Sequence, residues 1–246
     1  MKKTVKIACL PHAGASASIY YRWKKYAFSA IDFIPIELAG RGFRINESLY
    51  PSFDIALLDI YKELQGKVNG DHYALFGHSM GGLFAYELSL LAKKTGFNIP
   101  ITVFISGQLP PHIETGKRDL HNLPEDEFKK ELMKYGGITE EHYRDRELWA
   151  HYEPILRADL RIIETRLKKK TKDKIDSDII VMYGDTDEIL TSEIGDMNYD
   201  IDEWKEYTNQ NYKSYVFGGD HFYINQFDAQ IVKILVETIK SKNNQD

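Results

Sequence analysis

The chain has 246 residues, a mass of 28.5 kDa and a net charge of −5, enough to bury a full core in one domain. A pI near 5.9 leaves no electrostatic footprint for nucleic acid. The single cysteine, Cys9, excludes an intramolecular disulfide, and no apolar run approaches the roughly 18 residues of a membrane span. A soluble, cytoplasmic protein with no membrane partner is expected.

Val5–Leu10 (VKIACL) reads as a strand that packs Cys9 into the core, followed by the small-residue loop from Pro11 to Ser18. Ile19–Ser29 sets Tyr20, Trp23 and Ala27 on one side at helical spacing. Phe33–Leu38 is a second strand, leading into Ala39-Gly40-Arg41-Gly42. Ser52 caps a helix predicted over Phe53–Val68, with Ile55, Leu58, Tyr61, Leu64 and Val68 as its stripe. Strand Tyr73–Phe76 and helix Gly82–Leu91 follow, then strands at Ile101–Ile105, 178–183 and Ser214–Phe217. Ile224–Ile239 closes the chain as a helix. Strands alternating with helices predict an α/β fold, a mostly parallel central sheet with helices on both faces.

Between the third strand and its helix lies Gly77-His78-Ser79-Met80-Gly81. A G-x-S-x-G in strand–turn–helix context is a nucleophile elbow, a turn so sharp that its central residue is strained and its flanking residues must be small. Ser79 then stands at the carboxyl end of a strand and the positive end of a helix, where ligands of such sheets bind.

Serine needs a base in hydrogen-bond reach, and the base needs a group to orient it. On this fold the order is serine, acid, histidine, each in a loop after a strand. Downstream, His221 in Gly218-Gly219-Asp220-His221-Phe222 occupies the place of the base. His12 and His78 lie near the nucleophile where backbone matters more than side chain. For the acid, Gly184-Asp185-Thr186-Asp187-Glu188 offers two aspartates. Asp187 is preferred, because Asp185 directly follows Gly184 and is placed to tie down its own loop. Asp220, adjacent to His221, has poor geometry for gripping its imidazole. The oxyanion donors expected are the backbone N–H groups of Met80 and Ala13, with the Met80 side chain at the pocket mouth.

Residues 107–177 contain no convincing strand, but helical segments at 124–135, 146–153 and 156–169. An insertion on the edge that carries the site reads as a lid. Phe128, Leu132, Tyr135, Leu148, Trp149 and Tyr152 either line an acyl pocket or dock the lid on the core. The whole chain is then one domain, 1–246, with a lid at about 107–177. Lys129, Lys130, Lys134 and the run 168–172 are its candidate basic contacts, though acidic residues interleave them.

Four blocks resemble the type II thioesterases that accompany nonribosomal peptide and polyketide synthetases. They are LPHAGASASIYYRW, IELAGRGFR, FGHSMGGLFAYEL, and the lid pair LPEDEFKKELMKYGGI and ELWAHYEPILRADLRIIE, the most diagnostic of the four. GDTDEIL and GGDHFYI fall where that family has its acid and histidine. The likeness departs at His12-Ala13-Gly14-Ala15, where Tyr-Ala-Gly-Gly is common, and at Leu190, where valine is usual. The resemblance implies an α/β-hydrolase fold and hydrolysis of acyl thioesters from the phosphopantetheine arm of acyl- or peptidyl-carrier proteins. It implies catalysis by Ser79, Asp187 and His221, no metal or other cofactor, and a monomer. The alternatives are an acyl-CoA thioesterase or carboxylesterase of the same fold, and an inactive carrier-protein-binding module.

Overall fold

The computed structural model describes residues 4–26, 31–113, 119–134, 143–166, 173–191 and 200–242. Among these residues six strands form one sheet: β1 (Val5–Leu10), β2 (Ile31–Pro35), β3 (Tyr73–His78), β4 (Thr102–Ser106), β5 (Asp178–Gly184) and β6 (Tyr212–Phe217). Their order is β2-β1-β3-β4-β5-β6, and every pair is parallel. The longer helices among the described residues are α1 (Phe53–Val68), α2 (Met80–Thr95), α3 (Glu125–Lys134), α4 (Arg146–Arg166) and α5 (Asp228–Lys242), and a single helical turn at Glu188–Thr191 follows β5.

Alternation along the strands builds two cores. Ala8, Leu10, Tyr73, Leu75, Val103, Ile105, Ile179 and Val181 face α1 and α2. Ile7, Cys9, Ala74, Phe76, Phe104, Ile180 and Met182 face α5 and the 3₁₀ segment Ala17–Tyr26. Both faces of the inner strands are covered, which explains why they read as continuous apolar runs.

Several expectations shift. Ile19–Ser29 was expected as helix at helical spacing; its described part is 3₁₀, with Tyr20 and Trp23 buried as predicted, and Ala27 lies outside the described residues. β2 runs Ile31–Pro35 rather than Phe33–Leu38; Ile36 and Leu38 are buried beyond its end. In α1, Ser52 caps as predicted, its side chain accepting the Ile55 N–H. The stripe does not hold: Ile55 and Leu58 are 50% and 58% exposed, and Phe53, Ala56, Ile60, Tyr61, Leu64 and Val68 face the core. The last helix starts at Asp228, after a 3₁₀ turn at Tyr223–Asn225.

Between β4 and β5 the regular elements among the described residues are helical, apart from a single bridge of Ile175 to Thr208. The expected pair at 146–153 and 156–169 is one helix, α4, with Pro154 inside it. Proline removes one backbone donor and crowds the carbonyl four residues back, which bends a helix but need not end it when both halves are packed. Leu120, Phe128, Leu132, Trp149 and Leu156 form a separate cluster, joined by Ala13 of the loop after β1. Phe128, Leu132 and Trp149 are therefore buried within the insertion's own apolar cluster. Leu148 is 48% exposed, and Tyr135 lies outside the described residues.

Candidate active site

The elbow begins with sterics. Ser79 has φ 52° and ψ −119°, and with Asn69 it is one of two non-glycine residues at positive φ among those described. Such a conformation costs on the order of 1–3 kcal/mol and persists only where the surroundings enforce it. Here they do. The Ser79 N–H donates to the Ser106 carbonyl at 2.7 Å, tying the turn to the end of β4. A Cβ on Gly81 would lie 2.2 Å from the Leu10 carbonyl oxygen, so only glycine lets β1 pass behind the turn. Ser79 is half-buried, at the N-terminus of α2.

Pairing of β5 with β6 sets Gly184 opposite Phe217 at the carboxyl end of the sheet. The acid loop leaves from Gly184 and the histidine loop from Phe217, so the two side chains meet. His221 Nδ1 donates to Asp187 Oδ2 at 2.7 Å, with both residues buried. The second carboxylate oxygen accepts the Ile189 N–H at 3.0 Å. An acceptor at Nδ1 places the imidazole proton there and leaves Nε2 as the basic nitrogen.

Asp185 does not tie down its own loop. Its Oδ1 accepts the Gly219 N–H at 2.8 Å, binding the acid loop to the histidine loop 34 residues on. Asp220 accepts the Phe222 N–H in a local turn.

His78 does more than supply backbone. It is fully buried; its Nδ1 is 2.9 Å from Ser106 Oγ, which lies 2.6 Å from the Tyr223 hydroxyl. Its ring packs on His221 with centroids 4.9 Å apart, and His12 meets it edge-on at 5.7 Å. Burial, then the neighbouring His221 and His12, drive the His78 pKa well below that of an ordinary histidine. His12 falls to about 4, chiefly through burial. Gly107, after β4, is required by this cluster: a Cβ there would lie 2.8 Å from His78 Cε1 and 3.1 Å from His221 Cε1. No local motif marks Gly107, Ser106 or Tyr223.

The Met80 side chain is not at a pocket mouth; it is 1% exposed in the core on the α1–α2 side. Neither the Met80 N–H nor the Ala13 N–H has an acceptor among the described residues. His12 accepts the Ala15 N–H through its carbonyl at 3.1 Å, and its Nδ1 donates to the Ala13 carbonyl at 3.0 Å. One cluster of metal-ligand type occurs among the described residues, Asp119, His121 and Glu164. Glu164 already accepts the Leu120 N–H at 2.7 Å and contacts His121, so this cluster pins the turn before α3 to α4.

Sheet order, elbow backbone and the placement of the acid and histidine loops are those of an α/β-hydrolase. Within that class the chain belongs to the thioesterase domain family, whose model matches residues 5–242, and it is a hydrolase acting on thioesters. The structure of ClbQ, from the colibactin NRPS/PKS pathway, matches with a TM-score of 0.88 and 30% identity, covering 97% of this chain and 98% of that one. BorB, the type II thioesterase from the borrelidin biosynthetic cluster, gives 0.82 at 25% identity, over 97% and 94%. The gramicidin S biosynthesis protein GrsT of Aneurinibacillus migulanus is 26% identical over 236 residues, 96% of this chain and 89% of the relative. No helix among the described residues is long and apolar enough to cross a membrane.

Proposed function

We propose that the protein is a type II thioesterase that releases stalled or wrong acyl groups from the phosphopantetheine arm of carrier proteins in a nonribosomal peptide or polyketide assembly line. The reading is supported by relatives named for such pathways. The observation that carries the mechanism is the buried Asp187–His221 pair on the loops after β5 and β6, at the same edge as the Ser79 elbow.

In this mechanism His221 Nε2 takes the Ser79 hydroxyl proton as Oγ attacks the thioester carbonyl. The Met80 and Ala13 N–H groups, both without an acceptor among the described residues, receive the oxyanion. The C–S bond breaks, and His221 returns the proton to the departing thiolate. A water, deprotonated by the same nitrogen, then attacks the acyl-serine and releases the acid. The protein supplies every group these steps use, so neither a metal nor an organic cofactor enters.

Charge has a small part in docking. Lys129 pairs with Glu125, and Lys134 with Glu131 at 2.5 Å, so two of the three lysines of α3 are largely neutralised within their own helix. The run 168–172 lies outside the described residues. The decisive experiment compares turnover of an acetylated carrier protein with that of acetyl-CoA and a simple aryl ester. Preferential cleavage of the acyl-carrier protein is expected. Efficient cleavage of the small substrates with none of the carrier would overturn the reading.

A further inference from the structure

We infer that Asp159, carried by the lid helix α4, is a positioning residue for the oxyanion loop, held in place by Arg41. The inference rests on the mechanism above, in which the Ala13 N–H faces the oxyanion.

Asp159 is 1% exposed, and its Oδ2 accepts the Gly14 N–H at 2.7 Å across 145 residues of sequence. The same carboxylate is gripped by the Arg41 fork, Nη1 to Oδ2 at 2.5 Å and Nη2 to Oδ1 at 2.7 Å. Arg41 Nη1 also reaches the Ala15 carbonyl at 3.4 Å. Burial works against the Arg41 charge, but the Asp159 bond and charge outweigh it and raise its pKa.

Consider the loop peptide by peptide. The Ala13–Gly14 unit is tied at both ends, its carbonyl by His12 Nδ1 and its N–H by Asp159. The His12–Ala13 unit has its carbonyl engaged by the Ala15 N–H. A trans peptide points its N–H opposite its carbonyl, so the Ala13 N–H is directed out of the turn, where it has no acceptor among the described residues. Release of Gly14 would free the Ala13–Gly14 unit to rotate about Ala13 and carry Ala15 away from the His12 carbonyl, loosening the only bond that holds the His12–Ala13 unit and its N–H among the described residues. Tyr152 and Leu156 of the same helix brace the loop from outside: a Cβ on Gly14 would lie 2.4 Å from Tyr152 Oη and 3.2 Å from Leu156 Cδ1.

The chemistry of the pair separates this role from mere lid seating. Apolar residues of similar size seat a helix as well as a buried ion pair does, and often better. What they cannot provide is an acceptor for the Gly14 N–H. The lid is thereby part of the catalytic apparatus and not only its cover.

The test uses two double variants in the full chain, both lacking the ion pair. Arg41→Met with Asp159→Asn keeps a carbonyl oxygen for Gly14; Arg41→Met with Asp159→Leu does not. The Leu variant should turn over acyl-carrier substrate about tenfold to a hundredfold more slowly than the Asn variant, with KM within about twofold, since loss of a full oxyanion donor costs about 10²–10³ in kcat. A trifluoromethyl ketone, which forms a tetrahedral adduct on serine, should lose affinity for the Leu variant by a similar factor. If Leu prevents folding, Asp159→Val in the same background serves, with the same expectation. Equal kcat in the two variants, or a loss confined to KM, overturns the inference while leaving the triad standing. Full activity of Ser79→Ala in the same assay would instead overturn the mechanism, and the inference with it.

Discussion

A Cβ placed on Gly77 would lie 1.9 Å from the carbonyl oxygen of Gly81. Gly77 thus excludes a side chain on account of the Gly81 backbone, and Gly81 on account of the Leu10 and Pro11 backbone, so the strained serine is flanked by two positions that only glycine fills. Gly77→Ala should prevent folding, because backbone and not a flexible side chain is in the way. Gly81→Ala should do the same against Leu10. The check is soluble yield and a cooperative thermal transition; a stable, folded Gly77→Ala protein would contradict this account.

Ser79→Ala should lower thioester hydrolysis by at least about 10⁴-fold, as loss of a triad nucleophile does. Melting should change little, since the Ser79 side chain is half-buried and outside the apolar core. Steady-state rates and a melting curve on one preparation test both halves.

Asp187→Asn should cost on the order of 10⁴ in kcat, because an amide no longer selects the Nδ1–H tautomer of His221. Asp185→Ala removes the acceptor for the Gly219 N–H and should cost about 1 kcal/mol of stability, with a much smaller loss of rate. A larger kinetic defect in the Asp185 variant would reverse the assignment.

Stability should fall with pH in a window set by the buried histidines. His12 is depressed from 6.5 to about 4, so between those values the unfolded chain binds a proton that the folded chain refuses. Its contribution is present above 6.5 and is lost as pH falls through the window. At about 1.4 kcal/mol per pKa unit this amounts to at most about 3 kcal/mol, less the screening at the half-buried edge of the ring. Urea unfolding from about pH 7 down to about pH 4.5 should show a shallower decline for His12→Gln than for the wild type. Parallel declines would remove His12 from the account.

Raising ionic strength from about 0.05 to about 0.3 M shortens the Debye length and should change KM for an acyl-carrier substrate less than about threefold. The internal pairing of Lys129 and Lys134 motivates this. A much steeper dependence, absent for a short acyl-pantetheine, would assign docking to charged residues after all.

Much of this site is legible in the chain because its pieces are local. GHSMG announces its backbone through glycine spacing, and GDTDEIL and GGDHFYI each follow an apolar strand. What is not legible is relational. Arg41 and Asp159 lie 118 residues apart, and nothing near either names the other. The one available hint was a carboxylate between Leu156 and Ile162 on the apolar side of a helix. His78 stood inside the motif, yet its bond to Ser106 depends on the pairing of β3 with β4. The α1 stripe was misplaced because Ala56 contributes little apolar signal, while Ile55 and Leu58 contribute much and face outward. The gap expected between 153 and 156 is absent from α4, because local rules cannot see that the helix is packed on both sides of Pro154.

The register that opposes Gly184 to Phe217 also bears on the order in which the molecule is made. A ribosome delivers the nucleophile turn early, but β6, at the edge of the sheet, is the last strand to emerge. Until it pairs, β5 presents an open row of backbone donors and acceptors, and Asp187 has no imidazole to hold. An unfinished chain is therefore both sticky and inert: chains stopped before Tyr212 should collect in the insoluble fraction rather than as soluble, silent protein. Thioester cleavage is expected to switch on only when the acid loop after β5 and the histidine loop after β6 are both in place.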